Sequence, residues 1–356
     1  MSYPQLKTNS IFLIGADPEI FIEENGQIVG SEKLIPEEGS YAGEQVKLIR
    51  DGVQVELNLS PTHSRNYFAF EIKLAMNHLQ ELLDVSQRYT VSFREVVDVS
   101  TEELASLTPM SRRLGCAPSF NWYSPLAAIN VDPETFTGRS AGGHLHFGLP
   151  DYMMSERNLL PPLCDIIIGN TSVLLDRDPL AATRREVYGR AGEFRVPRHG
   201  FEYRTLSNFW LRSPKLVNLM TGLMRLVVYI LDTSIHDEDS GGWEADTELF
   251  KLVNLDNVQR AINTNDFKLA KANFEGVKVF LTQHLWDSSK CKGGETSLDG
   301  KKLSAFNTFI EGIDQGGLEH WFKEDPMTEW TQEMTLTASN WEHYLHTTVE
   351  KGAEIV

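Results

Sequence analysis

Cysteine is scarce in this chain and forms no pattern. Cys116, Cys164 and Cys291 are scattered and odd in number, and no Cys-x-x-Cys pair occurs. That excludes a disulfide framework and a structural zinc knuckle, and it fits a reducing compartment. Positive charge is also short: 33 Lys and Arg stand against 50 Asp and Glu, a formal net charge of -17. A surface so acidic repels nucleic acid and anionic membrane, so neither is an expected partner. The most apolar run, Leu216 to Leu231, is interrupted by Asn218 and Arg225. It falls short of the roughly 20 residues of a bilayer span and reads as a buried helix. The opening residues, Met-Ser-Tyr-Pro-Gln-Leu-Lys, carry no signal-peptide core, so a cytoplasmic location is expected.

Several catalytic signatures are missing as well. There is no Walker-type phosphate loop and no Rossmann glycine fingerprint after a strand. There is no Gly-x-Ser-x-Gly nucleophile elbow, and no cysteine has a nucleophile signature around it. Covalent Ser or Cys catalysis is therefore unsupported. A nucleotide, if one binds, has to be held by metals and arginines on a sheet. No internal repeat or low-complexity segment is present.

What the chain does have is a globular composition, 41% hydrophobic and 23% charged over 356 residues, enough for one large domain or two ordinary ones. Its most informative segment is Ser140-Ala-Gly-Gly-His-Leu-His-Phe-Gly148. Strand side chains alternate faces, so His144 and His146 point one way and Leu145 and Phe147 the other. Two imidazoles on one face suggest a metal, a phosphate, or both. Gly142 and Gly143 would let the backbone approach a ligand closely.

The same two-residue grammar recurs in Asp17/Glu19, Gln54/Glu56/Asn58, Glu193/Arg195 and Glu202/Arg204. Like charges on one face are unfavourable unless a cation lies between them. Pro18 removes a ladder donor, placing that strand end at an edge or bulge. Glu56, between Val55 and Leu57, faces either water or a polar cavity. Asp51 reads as a turn residue. If Pro197 to Gly200 is a hairpin loop, Arg195 sits opposite Glu202 and Glu193 opposite Arg204. These four are either cross-strand ion pairs or glutamates on metal with arginines on phosphate. Arg184, Arg185 and Arg190 add anion-binding capacity.

Strands are expected over Ile11 to Glu24, Gln27 to Ser31 after an Asn25-Gly26 turn, Val46 to Leu59, Val91 to Val97, Gly138 to Leu149, Glu193 to Val196 and Phe201 to Leu206. Helices are expected over Tyr67 to Tyr89, Asn158 to Leu175 with Pro161 and Pro162 in or before its first turn, and from Ser213-Pro214 onward. The catalytic-looking pairs all precede about residue 210. We therefore expect a catalytic region over residues 1–235. The remainder, 236–356, reads as mainly helical, with Trp243, Trp286, Trp321, Trp330 and Trp341 and an exposed loop from Asp287 to Gly300. It would complete or cover the same domain.

The ordered set Gly15-Ala-Asp-Pro-Glu19, Asp51 to Glu56, His144-x-His146 and Glu202-x-Arg204 resembles the glutamine synthetase-like carboxylate–amine ligases, a superfamily that includes glutamate–cysteine ligases. The closer resemblance is to the type 2 ligases (amidoligases) encoded by bacteriophages. It is carried by Arg139 to Gly148 and by Arg184 to Trp210, with Tyr188-Gly189, Gly192 to Arg195 and Glu202 to Trp210. It spans roughly Ile11 to Leu211.

The resemblance implies an α+β fold whose curved antiparallel sheet holds ATP and two or three Mg2+ ions, Mn2+ being possible, on its concave face. Glu19 and Glu56 would share one metal; Asp17, His144 and Glu202 would hold another. His146 would sit near the phosphates, with Arg139, Arg184 and Arg190 as further nucleotide contacts. Arg204 and Arg195 would contact the transferred phosphoryl group. Asp51 and Glu193 are candidates for a further metal carboxylate. The implied reaction is ATP-dependent amide formation through an acyl phosphate, joining a small-molecule or peptide carboxylate to an amine. An oligomer is compatible with the sequence. Rival readings are a metal-dependent hydrolase or oxygenase built on His144 and His146, a guanidino-type kinase, and a non-enzymatic phage or host-interaction protein.

Overall fold

The computed structural model describes residues 12–63, 65–114, 119–124, 136–198, 200–235, 244–290 and 305–331. Within them, short antiparallel strands and long helices combine into an α+β architecture. The strands are β1 (Leu13–Ala16), β2 (Glu19–Glu24), β3 (Gln27–Val29), β4 (Ser40–Ala42), β5 (Val46–Asp51), β6 (Gln54–Asn58), β7 (Thr90–Ser92), β8 (Val96–Asp98), β9 (Phe120–Asn121), β10 (Gly138–Ser140), β11 (Leu145–Gly148), β12 (Glu193–Arg195) and β13 (Gly200–Tyr203). The polar face is shared between two sheets. One has the order β1-β11-β13-β12-β9; the other runs β3-β2-β6-β5-β4, with β7 also paired to β2. Strands β8 and β10 pair separately.

The expected single strand over Ile11 to Glu24 is divided at Asp17-Pro18. Its first half is the edge of one sheet and its second half lies inside the other. Proline has no N–H to continue a ladder. Here the Pro18 carbonyl accepts from Leu57 N at 2.9 Å, and Glu19 N donates to Gly142 O at 2.9 Å. Pro18 thus follows an edge strand, in line with the edge or bulge expected of it, and also marks a crossing between sheets that brings Asp17 and Glu19 to a junction. The expected run over Val46 to Leu59 is likewise two strands, folded back at Gly52-Val53 so that Asp51 faces Gln54. Val91 to Val97 is also divided, into β7 and β8, which pair in different sheets. At Asn25-Gly26 both residues have positive φ, 53° and 78°, as the tight hairpin between β2 and β3 requires.

The helix Arg65–Ser86 presents Phe68, Ile72, Ala75, Met76, Leu79 and Leu83 to the core at three-to-four spacing. Residues 157–175 are helical throughout, with Pro161 and Pro162 in the first turn and a π-turn over Asp165–Gly169. Ser213 Oγ accepts from Leu216 N at 3.3 Å, capping the helix Pro214–Ile235. The segments Arg157–Leu175 and Pro214–Asp232 are long and apolar enough to cross a bilayer, but 89% and 67% of each is buried in the protein, as befits core helices. One hydrophobic cluster runs from Phe12 to Trp330 and includes the described C-terminal helices. The helix Phe267–Lys290 extends into the loop expected from Asp287. Cys116, Cys291, His199, Trp243 and Trp341 lie outside the described residues.

Candidate active site

Strand pairing lines up a polar row. Gly15, His146, Glu202 and Arg195 are direct partners across β1, β11, β13 and β12. Leu145, Phe147, Phe201 and Tyr203 alternate with them and are buried. Asp17, at the end of β1, completes the cluster. Its Oδ1 lies 3.1 Å from His144 Nδ1 and 3.3 Å from His146 Nε2. Burial alone would raise the Asp17 carboxyl; the His144 and His146 rings against it outweigh burial and hold it well below the usual carboxylate range.

Two groups of ligand-type atoms sit in this region, each with its atoms within 4.8 Å of one another: Asp17, His146 and Glu202 in one, Glu19, Asp51 and Glu56 in the other. Glu19 and Glu56 are direct cross-strand partners. Glu19 is held by Gly142 N, which donates to its Oε2 at 2.8 Å, and by Gln54 Nε2 at 3.4 Å. Gln54 is itself fixed by donating to Ser140 O at 3.0 Å. Burial, then repulsion from Asp51, pushes Glu19 up to about 8; burial, then Asp17, pushes Glu56 up to about 9. Burial also raises Asp51. Such mutual destabilisation is what a divalent cation relieves, and an all-carboxylate set suits a hard ion such as Mg2+ or Mn2+. By donor chemistry, then, the residues fit the metal that the resemblance implies.

The two histidines have different surroundings, although both face Asp17, and His144 Nδ1 also lies 3.8 Å from Glu202 Oε1. His146 belongs to the first ligand group. His144 is wholly buried behind it, its Nε2 2.8 Å from the Tyr188 hydroxyl and its Nδ1 turned to Asp17. The two glycines before it are closely packed. A Cβ on Gly142 would come within 2.5 Å of His144 Nε2, and one on Gly143 within 2.1 Å of Ser207 O and 2.5 Å of Trp210 Nε1. They make room for the His144 ring and the neighbouring backbone.

Strands β12 and β13 oppose Arg195 to Glu202, as expected, and the Arg195 Nη1 to Glu202 Oε2 distance is 3.8 Å. Arg204 lies opposite Glu193 through its backbone, N to O 3.0 Å. Its guanidinium turns instead to Glu202 Oε1 and the Tyr188 hydroxyl in short contacts. Glu193 is buried, accepts from Gly189 N at 3.2 Å, and is raised by burial. It joins neither ligand group.

The three arginines expected on phosphate are engaged with main chain. Arg184, fully buried, donates to Ala141 O, Thr205 O and Leu206 O at 3.2, 2.9 and 2.9 Å. Arg139 donates to Gly138 O at 2.9 Å and Arg112 O at 3.0 Å. Arg190 donates to Arg185 O at 3.1 Å and also to Glu186 O. As placed, they stitch backbone segments together.

Three features escaped the sequence reading. Tyr188 and Gln54 were visible in motifs but had no assigned partner. The buried set Glu95, Asp176 and Ser207 lies behind the Gly142-Gly143 segment. There Ser207 Oγ donates to Glu95 Oε1 at 2.5 Å, and Gly142 bridges to Ser207.

Residues 129–242, about a third of the chain, match the family model described as phage phiEco32-like COOH.NH2 ligase-type 2. The match bears out the amidoligase resemblance and supports an amide-bond-forming ligase. It takes in His144, His146, Glu193, Arg195, Glu202 and Arg204, whereas Asp17, Glu19, Asp51 and Glu56 precede it. No curated protein matches the chain.

Proposed function

We propose that this protein is an ATP-dependent carboxylate–amine ligase working through an acyl phosphate in the cytoplasm, on a glutamine synthetase-like polar face. The observation that carries the reading is the pair of neighbouring carboxylate-rich ligand groups, flanked by Arg195 and Arg204, in a chain with a ligase-family match.

A carboxylate is a poor electrophile, so amide formation in water needs activation. Transfer of a phosphoryl group from ATP to the carboxylate gives an acyl phosphate and ADP. Attack by the amine then forms the C–N bond and releases phosphate and a proton. Such transfer depends mainly on positioning and charge neutralisation. Glu19, Asp51 and Glu56 would hold one ion, and Asp17, His146 and Glu202 another; the bound ions would neutralise phosphate charge. Arg204 and Arg195, oriented by Glu202, offer planar forks of N–H donors to the phosphoryl oxygens. Gln54 and the Gly142 N–H hold Glu19 in place.

The deciding assay incubates the protein with Mg-ATP and pooled carboxylic acids and amines. The expected result is ADP and phosphate release that needs both partners, with a product lighter than their sum by one water. Turnover without ATP would overturn the reading, and a stable phosphorylated amine would favour the kinase. Glu56→Ala is expected to lower nucleotide turnover by about 100-fold or more, since it removes a ligand of a metal that acts in charge stabilisation.

A further inference from the structure

We propose that Glu95 is a positioning residue for Glu19, acting on it through the Ala141–Gly143 segment and the turn that follows Ser207. Glu19 is buried and gripped from that side. Gly142 N donates to its Oε2 at 2.8 Å, its own N donates to Gly142 O at 2.9 Å, and its O accepts from Asn208 Nδ2 at 2.9 Å. Both main-chain polar groups of Gly142 are thus committed to Glu19. They hold it only as firmly as the flanking residues hold Gly142. Ala141 N donates to Glu95 O at 2.8 Å, and Ala141 O accepts from Arg184 Nε at 3.2 Å. Gly143 N donates to Leu206 O at 3.0 Å, and Gly143 O accepts from Trp210 Nε1 at 3.0 Å. A buried segment with every main-chain group paired has little slack.

Glu95 connects the two sides of this grip. It immediately precedes β8 and is buried, its N–H on Asp178 Oδ2 at 3.3 Å. Its main-chain O takes the Ala141 side. Its side chain takes the other: Ser207 Oγ donates to Glu95 Oε1 at 2.5 Å and accepts from Phe209 N at 3.3 Å, capping the 3-10 helix Asn208–Arg212. That turn carries both Asn208 and Trp210. Asp176 Oδ2 also lies 3.5 Å from Ser207 Oγ. One hydroxyl has one hydrogen, so two carboxylates beside it repel each other unless one carries a proton. Burial, then Asp176, raises Glu95 well above the usual carboxylate range, with Arg184 and Arg185 opposing. Glu95 therefore serves as a neutral acid: Oε1 accepts from Ser207, and its proton is shared with Asp176. A side-chain amide offers the same acceptor and a donor, so Glu95→Gln reproduces the role and Glu95→Ala removes it.

That Glu19 holds a metal rests on the proposed function; the grip on Glu19 does not, so the test has a metal-free arm. In metal-free protein, hydrogen exchange at the Gly142 and Gly143 amides is expected to quicken about 10-fold or more in Glu95→Ala and Ser207→Ala, while the helix Arg65–Ser86 keeps its rates. Glu95→Gln is expected to exchange within about 3-fold of wild type. The infrared difference spectrum between wild type and Glu95→Gln is expected to show the carbonyl stretch of a protonated carboxyl. With Mn2+, Glu95→Ala and Ser207→Ala are expected to bind about 10-fold more weakly and Glu95→Gln like wild type, since losing a partner of a ligand weakens affinity by that order. Should Glu95→Ala fail to fold, Ser207→Ala and Glu95→Gln carry the test. Unchanged exchange at Gly142 and Gly143 in Ser207→Ala overturns the proposal, as does exchange that quickens equally in the Arg65–Ser86 helix. So does a Glu95→Gln variant as impaired as Ser207→Ala, or an infrared difference without the carboxyl band. Wild-type protein that binds no Mn2+ sinks the metal reading of Glu19, and the exchange result then decides the positioning alone.

Discussion

A methyl group added at Gly142 would meet His144 Nε2 at 2.5 Å, and one at Gly143 would meet Ser207 O at 2.1 Å. Both contacts are closer than real Cβ atoms approach, so each substitution forces a shift, but of different things. Gly142→Ala pushes on the buried His144 ring, whose Nδ1 lies 3.1 Å from Asp17 Oδ1; it is expected to weaken Mn2+ binding by about 10-fold or more with a small change in Tm. Gly143→Ala pushes on backbone and is expected to cost about 1–3 kcal/mol of stability, the usual range for overpacking, in a denaturant titration. Away from the site, Glu71 is buried on the helix Arg65–Ser86, accepting from Ser60 N at 3.0 Å. Burial raises it to about 7. Its pKa is thus higher folded than unfolded, so its contribution is greatest below the unfolded value and is lost as pH rises through the folded one. Glu71→Gln does not titrate. The variant should gain stability relative to wild type between pH about 4.5 and about 7 and hold that advantage above. Parallel unfolding curves across this window would contradict the assignment.

Among the elements, the segment between Ala181 and Leu206 separates arginines by task. Arg184 serves three carbonyls, Ala141 outside this segment and Thr205 and Leu206 at its far end. Arg184→Ala leaves those buried acceptors short of donors and is expected to cost about 3 kcal/mol or more in denaturant unfolding. Arg195 is partly exposed, at 27% of its side chain, and its Nη1 lies 3.8 Å from Glu202 Oε2. Arg195→Ala is expected to change stability by less than about 1 kcal/mol while lowering ligase turnover roughly 100-fold. The opposite pairing of effects would reverse the two roles. This division was not legible in the sequence. An arginine engaged with main chain has the same local spacing as one poised for phosphate, and its partners lie far along the chain. Alternation, by contrast, did locate β6, β11, β12 and β13 and the residues on their polar face, because it depends only on neighbours, though it ran β5 and β6 together. It also set Arg195 opposite Glu202. What alternation missed was where Pro18 sends the chain, since crossing from one sheet to another depends on partners at Leu57 and Gly142.

For the molecule as a whole, the question is whether the helices beyond residue 235 are a detachable cover. Their bonds say otherwise. Trp330, fully buried, donates its indole N–H to Leu211 O at 2.6 Å, while Lys73 donates to Trp330 O at 2.9 Å. Asn170 donates to Ala270 O at 2.9 Å, and Arg212 to Lys323 O at 3.1 Å. These contacts reach the helix Arg65–Ser86, the buried helical segment 157–175 and the residues following β13, and Phe274 and Phe309 are buried in the same cluster. A lid that could be removed would leave the remaining core closed. Here, removing residues after Ile230 would open it. We expect that truncation to give protein without a cooperative thermal transition, rather than a folded protein with altered turnover. Because truncation is a coarse change, Trp330→Ala and Trp330→Phe refine it. The first loses most of a buried indole and is expected to cost about 3–5 kcal/mol. The second keeps much of the packing and loses the bond to Leu211, leaving its carbonyl unsatisfied, at a cost of about 1–3 kcal/mol. A sharp unfolding transition in the truncated chain, or a near-neutral Trp330→Ala, would instead make the C-terminal helices a separable cover.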